Sequence, residues 1–292
     1  MNEVGSVAVI GAGTMGSGIA LAAAITPGGG IRAYQVDVSA EQLERARAYH
    51  DKTLTRNVDK GRMTRADADA AAARISYHES MAETADADWA VEAIVEVLDL
   101  KKKVFGEMKA TFGPDTVLAT NTSSISIASL GESVGDAAGR VIGMHFFNPV
   151  PVMKLVEVIR APATSEQTTR RTLELARRMG KTPVPANDRA GFVSNRVLMP
   201  LINEAFHAWM DGVAEPEHID EIMTLGCNFP MGPLRLADYI GLDVCVNIMN
   251  VMRDGLGSDK YAPCPKLVEL VEQGRLGDKT GRGVFEHGKR RK

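Results

Sequence analysis

The clearest chemical signal in this 292-residue chain is a glycine pattern near its start. Gly11, Gly13 and Gly16 follow an apolar run at 7–10 with the spacing Gly-x-Gly-x-x-Gly. Glycines at these places let a strand turn tightly into a helix whose first N–H groups face a pyrophosphate. A second apolar run ends at Asp37, where a carboxylate can accept hydrogen bonds from a ribose. The pattern predicts a dinucleotide site, with a purely structural strand-to-helix turn as the alternative.

A histidine and a glutamate form the second candidate for chemistry. His145 ends an apolar segment, and Glu157 lies 12 residues later in the next one. Taken singly, His145 is more readily explained as a core histidine and Glu157 as an ion-pair partner. Together, beside a dinucleotide pattern, they favour a general base whose imidazole is held by a carboxylate. The other histidines stand in polar or helical settings and are expected at the surface: His50, His78, His207, His218 and His287.

Composition and charge exclude several classes of protein. The chain is 45% hydrophobic and 24% charged, as globular proteins commonly are, and its net charge of −3 argues against nucleic acid as the main partner. No apolar run approaches the ~20 residues that span a membrane, and the first expected strand begins too early for a signal peptide. Three scattered cysteines, Cys227, Cys245 and Cys264, predict free thiols in the reducing cytoplasm and no metal site.

The elements that would position these residues alternate between strand and helix over the first two-thirds of the chain. Such alternation predicts an α/β fold with a mostly parallel, Rossmann-type doubly wound sheet. Ser39 can cap a long helix, and about 40–74 is expected to form a helical hairpin inserted between two strands. Strands and helices after the hairpin are expected at about 75–77, 89–95, 101–111, 117–121, 141–147, 155–159, 166–179 and 182–185.

The pattern changes near residue 187, after which only helical periodicity follows. Pro216 and Pro233 fall at predicted helix starts, where proline is tolerated. The sequence therefore predicts a dinucleotide-binding domain at 1–186 and a separate all-α domain at 187–292. The helices of the second domain are expected at about 192–211, 217–225, 231–238, 241–255 and 265–274.

Several distinctive blocks of sequence run in order along nearly the whole chain. The blocks are Gly-Ala-Gly-Thr-Met-Gly (11–16), Val-Glu-Ala-Ile-Val-Glu (91–96), Asn-Thr-Ser-Ser (121–124), His-Phe-Phe-Asn-Pro-Val-Pro-Val-Met-Lys-Leu-Val-Glu-Val (145–158), Gly-Phe-Val-Ser-Asn-Arg (191–196), Pro-Met-Gly-Pro (230–233) and Lys-Thr-Gly-Arg-Gly (279–283). Together they resemble the L-3-hydroxyacyl-CoA dehydrogenases. The length is similar to that of the short bacterial type often called 3-hydroxybutyryl-CoA dehydrogenase.

The resemblance implies an NAD-dependent (S)-3-hydroxyacyl-CoA dehydrogenase acting on short chains. His145 would take the 3-hydroxyl proton as hydride leaves C3 for the nicotinamide, and Glu157 would hold its imidazole. Ser123 and Asn195 would hydrogen-bond the substrate oxygens in a cleft between the two domains. The residues that the resemblance implies at the cofactor are Gly11, Gly13, Thr14, Met15, Gly16, Asp37, Glu96, Lys101, Ser123, Asn148 and Lys279.

The resemblance also implies that the helical hairpin meets coenzyme A and that the all-α domain forms most of a homodimer interface. Thr53 and Lys60 would contact the coenzyme A moiety. The hairpin is rich in basic residues, which suits the phosphates of that moiety, although a solvated helix face would look the same. These basic residues are Arg45, Arg47, Lys52, Arg56, Lys60, Arg62 and Arg65.

Asp278 stands where the family usually has a basic residue, which counts against the cofactor contact implied for the neighbouring Lys279.

Two other functions are compatible with parts of this pattern. A dehydrogenase of a small free hydroxy acid, such as a gulonate-type sugar acid, shares the serine, histidine, glutamate and asparagine set. Only Thr53, Lys60 and the basic hairpin favour coenzyme A over such an acid. A non-catalytic dinucleotide-binding protein is disfavoured because Ser123, His145 and Asn195 are all present together with the glutamate.

Overall fold

The computed structural model describes residues 5–26, 28 and 30–287. The chain divides into two compact units, the first ending at Asp188 and the second beginning at Arg189. The first unit contains one eight-stranded sheet with the strand order β3-β2-β1-β4-β5-β6-β7-β8. Its strands are β1 (Ser6–Ile10), β2 (Arg32–Val36), β3 (Ile75–His78), β4 (Trp89–Glu92), β5 (Val117–Thr120), β6 (Val141–Phe146), β7 (Leu155–Arg160) and β8 (Thr182–Asn187).

Neighbouring strands of this sheet are parallel except β6 and β7, which are antiparallel. The strands β1, β4, β5 and β6 are adjacent and parallel, so their carboxyl ends meet at one edge of the sheet. Open sheets of this kind bind ligands at that edge. The predicted doubly wound, mostly parallel sheet is thus confirmed.

Helices cover the sheet of the first unit. The helix after the glycine pattern is almost wholly buried, because its Ala-rich sequence packs closely between the sheet and the hairpin. Seven-residue α5 was not expected, since so short a Ser- and Gly-containing segment has little periodicity. The helices are α1 (Thr14–Ala24), α2 (Ala40–Asp59), α3 (Arg65–Ala73), α4 (Leu98–Thr111), α5 (Ile127–Ser133) and α6 (Glu166–Arg178), with 3₁₀ turns at Met81–Thr84 and Gly135–Arg140.

The helices α2 and α3 form the predicted hairpin. The Ser39 side chain caps α2 by accepting a hydrogen bond from the N–H of Gln42, as the sequence indicated. A capping box between Thr64 and Asp67 starts α3, and its two reciprocal hydrogen bonds fix the turn between the helices. Local sequence therefore determines where each helix of the hairpin begins.

The prediction that His50 lies at the surface is wrong, because this side chain is only 1% exposed. Its neighbours Tyr49 and Asp51 are more exposed, and α2 is polar on average, which hides the inward face in the sequence. Of the other histidines expected at the surface, His218 is exposed and His207 is partly exposed. The buried residues of α2 recur at helical spacing: Leu43, Ala46, His50, Thr53 and Leu54.

The second unit is built from helices around its own apolar core. Pro216, Pro233 and Pro265 each occupy the first turn of a helix, where the missing N–H has no intrahelical partner to lose. In the part of the chain that the structure describes, no helix combines the length and the apolar character needed to cross a membrane. The helices are α7 (Ser194–Met210), α8 (Pro216–Gly226), α9 (Pro233–Ile240), α10 (Leu242–Leu256) and α11 (Pro265–Glu272), with a 3₁₀ turn at Asp259–Tyr261.

The C-terminal segment is attached to α9 by the buried carboxylate of Asp238. This carboxylate accepts hydrogen bonds from the N–H groups of Val284 and Phe285, at 2.8 and 2.9 Å. The ring of His287 lies 2.6 Å from the same carboxylate and 3.4 Å from that of Asp278. His287 is thus partly exposed, and two acidic side chains hold it against the rest of the helical unit.

Candidate active site

The glycine turn has two glycines that internal packing requires and one that it does not. Gly11 has a φ of +104°, and a Cβ there would lie 2.6 Å from the carbonyl oxygen of Ala93. A Cβ on Gly16 would lie 1.8 Å from the carbonyl oxygen of Gly11. Gly13 is exposed, and a Cβ there would meet nothing within 4 Å. The glycine at position 13 therefore leaves open space over the turn.

This open space fits the pyrophosphate of a dinucleotide. The helix α1 begins at Thr14, and the residue before it, Gly13, offers no side-chain cap. The first turn of α1 contains Thr14, Met15 and Gly16 but no acidic residue, so the side chains of this turn do not repel an anion. Exposed N–H groups and the positive end of the helix dipole then favour bound phosphate.

Asp37 lies immediately after β2, beside the glycine turn. One carboxylate oxygen accepts a hydrogen bond of 2.8 Å from the N–H of Ala12, and the other accepts one of 2.9 Å from the N–H of Ser39. These bonds fix the carboxylate next to the turn. The residue that follows, Val38, is 91% exposed, and no basic residue stands beside Asp37 in the sequence. A ribose with free hydroxyls suits this position better than one that carries a 2′-phosphate.

His145 and Glu157 face each other across the antiparallel pair β6–β7. They are register partners, and His145 Nδ1 lies 2.7 Å from an oxygen of Glu157. The two residues are only 8% and 4% exposed, and the ring of Phe147 packs 4.7 Å from the imidazole. A carboxylate acceptor places the neutral ring's proton on Nδ1, so Nε2 is the basic nitrogen. The pair is therefore arranged as a general base with an orienting carboxylate.

The turn at 122–124, just beyond β5, is held by the carboxylate of Glu96. One oxygen of Glu96 accepts hydrogen bonds from the Thr122 hydroxyl at 2.5 Å and from the Ser123 N–H at 2.9 Å. It also accepts bonds from the N–H and the hydroxyl of Ser124, at 3.1 and 3.0 Å. Burial by itself would raise the pKa of Glu96, but the Lys101 ammonium and these hydrogen bonds outweigh it and lower that pKa. Glu96 is thus held as an anion beneath Ser123.

Lys101 lies inside the protein, behind Glu96. Its side chain is 1% exposed, and its ammonium contacts Glu92 at 2.5 Å and Glu96 at 3.2 Å. The sequence resemblance implied a direct contact between Lys101 and the cofactor. In the structure the ammonium lies buried between these two carboxylates and is not exposed to a ligand.

The connection between β6 and β7 carries Asn148, which is exposed and precedes a cis proline, Pro149. The buried ammonium of Lys181 holds this connection by donating to the carbonyl oxygens of Val150 and, at 2.9 Å, of Met153. Burial lowers the pKa of Lys181. The structure thereby fixes the segment on which Asn148 stands.

The two residues expected at coenzyme A differ in their exposure. Thr53 is 5% exposed on the inward face of α2, so a ligand could reach only a small part of it. Lys60 follows the last residue of α2 and is exposed. Of this pair, Lys60 is the residue that is fully available to a phosphate.

The remaining expected site residues lie in the second unit. Asn195 is in the first turn of α7 and is 8% exposed. Lys279 Nζ lies 2.5 Å from both oxygens of Asp243. The neighbouring Asp278 pairs with Arg235 at 2.9 Å instead of with Lys279. Within the described ranges, no group of three or more histidine, cysteine or acidic side chains could hold a metal ion.

Two family models match the chain in succession. Residues 6–189 match the model described as 3-hydroxyacyl-CoA dehydrogenase, NAD binding domain, and residues 191–287 match that of the 3-hydroxyacyl-CoA dehydrogenase C-terminal domain. This chain belongs to the 3-hydroxyacyl-CoA dehydrogenase family. The resemblance seen in the sequence is confirmed, and so is NAD as the cofactor that the first unit is built to bind.

Individual members of the 3-hydroxyacyl-CoA dehydrogenase family are similar to this chain over nearly their whole length. A probable 3-hydroxybutyryl-CoA dehydrogenase of Bacillus subtilis is 49% identical, over 98% of both chains. The 3-hydroxybutyryl-CoA dehydrogenase of Bradyrhizobium diazoefficiens is 44% identical, over 96% of this chain and 94% of its own. A crystal structure of (S)-3-hydroxybutyryl-CoA dehydrogenase from Ralstonia eutropha is 43% identical, with a TM-score of 0.94, over 98% of this chain and 100% of that one.

Sequence reasoning named candidate site residues that the structure places in contact with one another, but it missed the residues behind them. The structure brings together His145 and Glu157, and separately Glu96 and Ser123. Sequence reasoning assigned no role to Glu92, although a single acidic residue in an otherwise apolar strand indicates a buried charge that needs a partner. A lysine nine residues later, at the start of the next helix, could have completed that signal.

Proposed function

We propose that this protein is an NAD-dependent (S)-3-hydroxyacyl-CoA dehydrogenase that interconverts short-chain 3-hydroxyacyl-CoA and 3-ketoacyl-CoA, such as 3-hydroxybutyryl-CoA and acetoacetyl-CoA. The observation that carries the proposal is the 2.7 Å contact between His145 and Glu157. The pair stands at the edge of the sheet where β1 enters the glycine turn and β5 enters the Ser123 turn. A base and a dinucleotide site at one edge suit the oxidation of an alcohol.

In the proposed reaction, Nε2 of His145 removes the proton of the substrate 3-hydroxyl. Bound NAD would supply the acceptor for the hydride that leaves C3. Glu157 keeps the imidazole in the required tautomer and stabilises the imidazolium that forms, because the carboxylate lies against Nδ1. Ser123 and Asn195 donate hydrogen bonds to the substrate oxygens, and in the reverse direction the imidazolium returns the proton.

The residues proposed to bind the cofactor have distinct tasks. Gly13, with Thr14 and Met15, offers the open turn to the pyrophosphate, while Asp37 accepts hydrogen bonds from the adenosine ribose. Glu96 and Asn148 are proposed to lie around the cofactor. Lys279 is a further proposed contact, although in the structure its ammonium binds the carboxylate of Asp243.

The hairpin is proposed to receive the coenzyme A moiety through Lys60, with a smaller contribution from Thr53. Lys60 is exposed in a segment rich in basic residues, in a chain whose net charge is −3. A cluster of positive charge attracts the phosphates of the nucleotide end. The relatives named above act on 3-hydroxybutyryl-CoA by their printed names, which favours an acyl-CoA over a free hydroxy acid.

We further infer that the protein works as a homodimer in the cytoplasm. Helices of the second unit carry well-exposed apolar side chains, including Val197, Ile222 and Leu225. Exposed apolar surface of this kind is typical of a protein interface. The three cysteines are free, as is usual in a reducing compartment.

A spectrophotometric panel tests the proposed function. Acetoacetyl-CoA, longer 3-ketoacyl-CoAs and free keto acids are each offered with NADH and with NADPH. We expect kcat/KM to be highest for acetoacetyl-CoA with NADH. A higher value for a free acid would overturn the acyl-CoA proposal, and no turnover of any compound would support a non-catalytic protein.

Sedimentation velocity tests the proposed homodimer. A protein that sediments as a monomer at micromolar concentration would refute it.

A further inference from the structure

A fully buried acidic side chain ends β4, close to the proposed site but not part of it. Glu92 is 0% exposed, and both of its carboxylate oxygens accept hydrogen bonds. Oε1 accepts from the Ile94 N–H at 2.7 Å and from Lys101 Nζ at 2.5 Å. Oε2 accepts from the Thr120 hydroxyl at 2.8 Å. Burying a carboxylate is costly, so its partners must compensate for the lost water.

The first connection from Glu92 runs through Thr120, the last residue of β5. Glu92 and Thr120 are register partners in the parallel pair β4–β5. The Thr120 hydroxyl gives its single proton to Glu92 and accepts a hydrogen bond of 3.2 Å from the N–H of Thr122. Glu92 thereby orients the Thr120 hydroxyl so that it can receive the backbone of the turn at 122–124.

The second connection from Glu92 runs through Lys101 and Glu96. The Lys101 ammonium lies between the two carboxylates, 2.5 Å from Glu92 and 3.2 Å from Glu96. Glu96 in turn accepts hydrogen bonds from the Thr122 hydroxyl and from the N–H groups of Ser123 and Ser124. The two connections start on different oxygens of Glu92 and end on the same turn.

We propose that Glu92 is a positioning residue for Ser123, acting through Thr120 on one side and through Lys101 and Glu96 on the other. The inference rests on the proposed function for the role of Ser123. A buried ion pair that served stability alone would not need both oxygens to lead to one turn, and an apolar pair of similar size would often be at least as stable. Misplacing a substrate-binding group by about 1 Å can reduce the rate of a reaction about 10²-fold.

The substitution Glu92→Gln tests this role, because Lys101 and Thr120 donate to different oxygens of Glu92 and the amide presents an NH2 donor in place of one of them. We expect kcat to fall about tenfold or more, while the dissociation constant of NADH measured by fluorescence changes less than threefold. Glu107→Gln is the matched control. It makes the same charge change on α4, where Glu107 is half-exposed and 3.9 Å from Lys103, and should leave kcat unchanged.

A double-mutant cycle separates positioning from general damage to the structure. If Glu92 acts through Ser123, adding Glu92→Gln to Ser123→Ala should cause little further loss of kcat. Hydrogen–deuterium exchange gives a readout that does not depend on turnover. We expect faster exchange of the 121–125 amides in Glu92→Gln and no change there in Glu107→Gln.

Two results would overturn the proposal. One is a loss of kcat in the double mutant that equals the product of the two single losses, and the other is unchanged amide exchange at 121–125 in Glu92→Gln. Should Glu92→Gln not fold, Thr120→Val breaks the first connection at constant charge and must show the same coupling to Ser123 and the same local exchange. A wild-type protein that turns over no acyl-CoA would refute the proposed function, and the exchange comparison would then decide the positioning role alone.

Discussion

The Nε2 atom of His50, in α2, lies 2.8 Å from the carbonyl oxygen of Ser17, in α1. On the other side of the ring, Nδ1 lies 2.8 Å from the Tyr77 hydroxyl. Burial raises the pKa of Tyr77 to about 12, so its hydroxyl keeps its proton and can donate to Nδ1. The imidazole therefore joins the hairpin to the helix that follows the glycine turn, and it does so as a neutral ring.

This contact predicts how stability depends on pH. Burial lowers the pKa of His50 below its ordinary value of 6.5. The unfolded chain therefore takes up a proton as pH falls below 6.5 while the folded protein does not, so stability is lost as pH decreases through that range. We expect a lower Tm at pH 5 than at pH 7, and a smaller difference between them in His50→Leu.

His50→Leu should also destabilise the protein at pH 7, by about 1–3 kcal/mol, because it removes the hydrogen bonds of a buried ring to the Tyr77 hydroxyl and the Ser17 carbonyl oxygen. Urea unfolding at the two pH values measures both effects. His218→Leu is the control, since His218 is exposed and should change neither. An unaltered pH dependence in His50→Leu would show that another group is responsible.

The glutamate behind the histidine should affect chemistry more than binding. Glu157→Gln removes the charge that stabilises the His145 imidazolium but keeps the size of the side chain. We expect kcat to fall by about 10²–10⁴-fold with little change in NADH affinity, and His145→Gln to be at least as damaging. Stopped-flow hydride transfer and NADH titration measure the two quantities. A near-normal kcat in Glu157→Gln would make the pair a structural contact only.

The carboxylate of Asp37 should select NAD over NADP. An acidic side chain fixed by the N–H groups of Ala12 and Ser39 accepts ribose hydroxyls and repels a 2′-phosphate. We expect kcat/KM for NADH to exceed that for NADPH by about 100-fold or more, and Asp37→Asn to reduce this ratio. Equal values for the two cofactors in the wild type would contradict this role of Asp37.

Lys60 should act only on substrates that carry the nucleotide phosphates of coenzyme A. Lys60→Ala is expected to raise KM for acetoacetyl-CoA about tenfold and to weaken its salt dependence, without affecting an acetoacetyl-pantetheine analogue. Lys103→Ala removes another exposed charge, on α4, and serves as the control. Equal losses on both substrates would mean that the substitution distorts the site rather than removing a phosphate contact.

The sequence predicted those parts of the fold and site that depend on local patterns. The glycine turn, the alternation of elements and the position of His145 at a strand end all follow from neighbouring residues. The contact between Lys101 and Glu92 was not predicted, because the sequence shows one acidic residue in an apolar strand but only the assembled sheet and α4 bring the two side chains within 2.5 Å. His50 was misplaced for a related reason, because the polar residues around it conceal the inward face of α2.

The antiparallel pairing of β7 has a consequence for insertions and deletions. Alternate residues of a strand point to opposite faces, so a slip of β7 by one residue past β6 would turn the Glu157 carboxylate away from His145. The connection at 147–154 sets this register, and Lys181 holds it at two carbonyl groups. The turn between α2 and α3 can accept a change of length more easily, because Gly61 has open space around it. Changes of length should therefore accumulate in the hairpin turn during evolution, and almost never between β6 and β7.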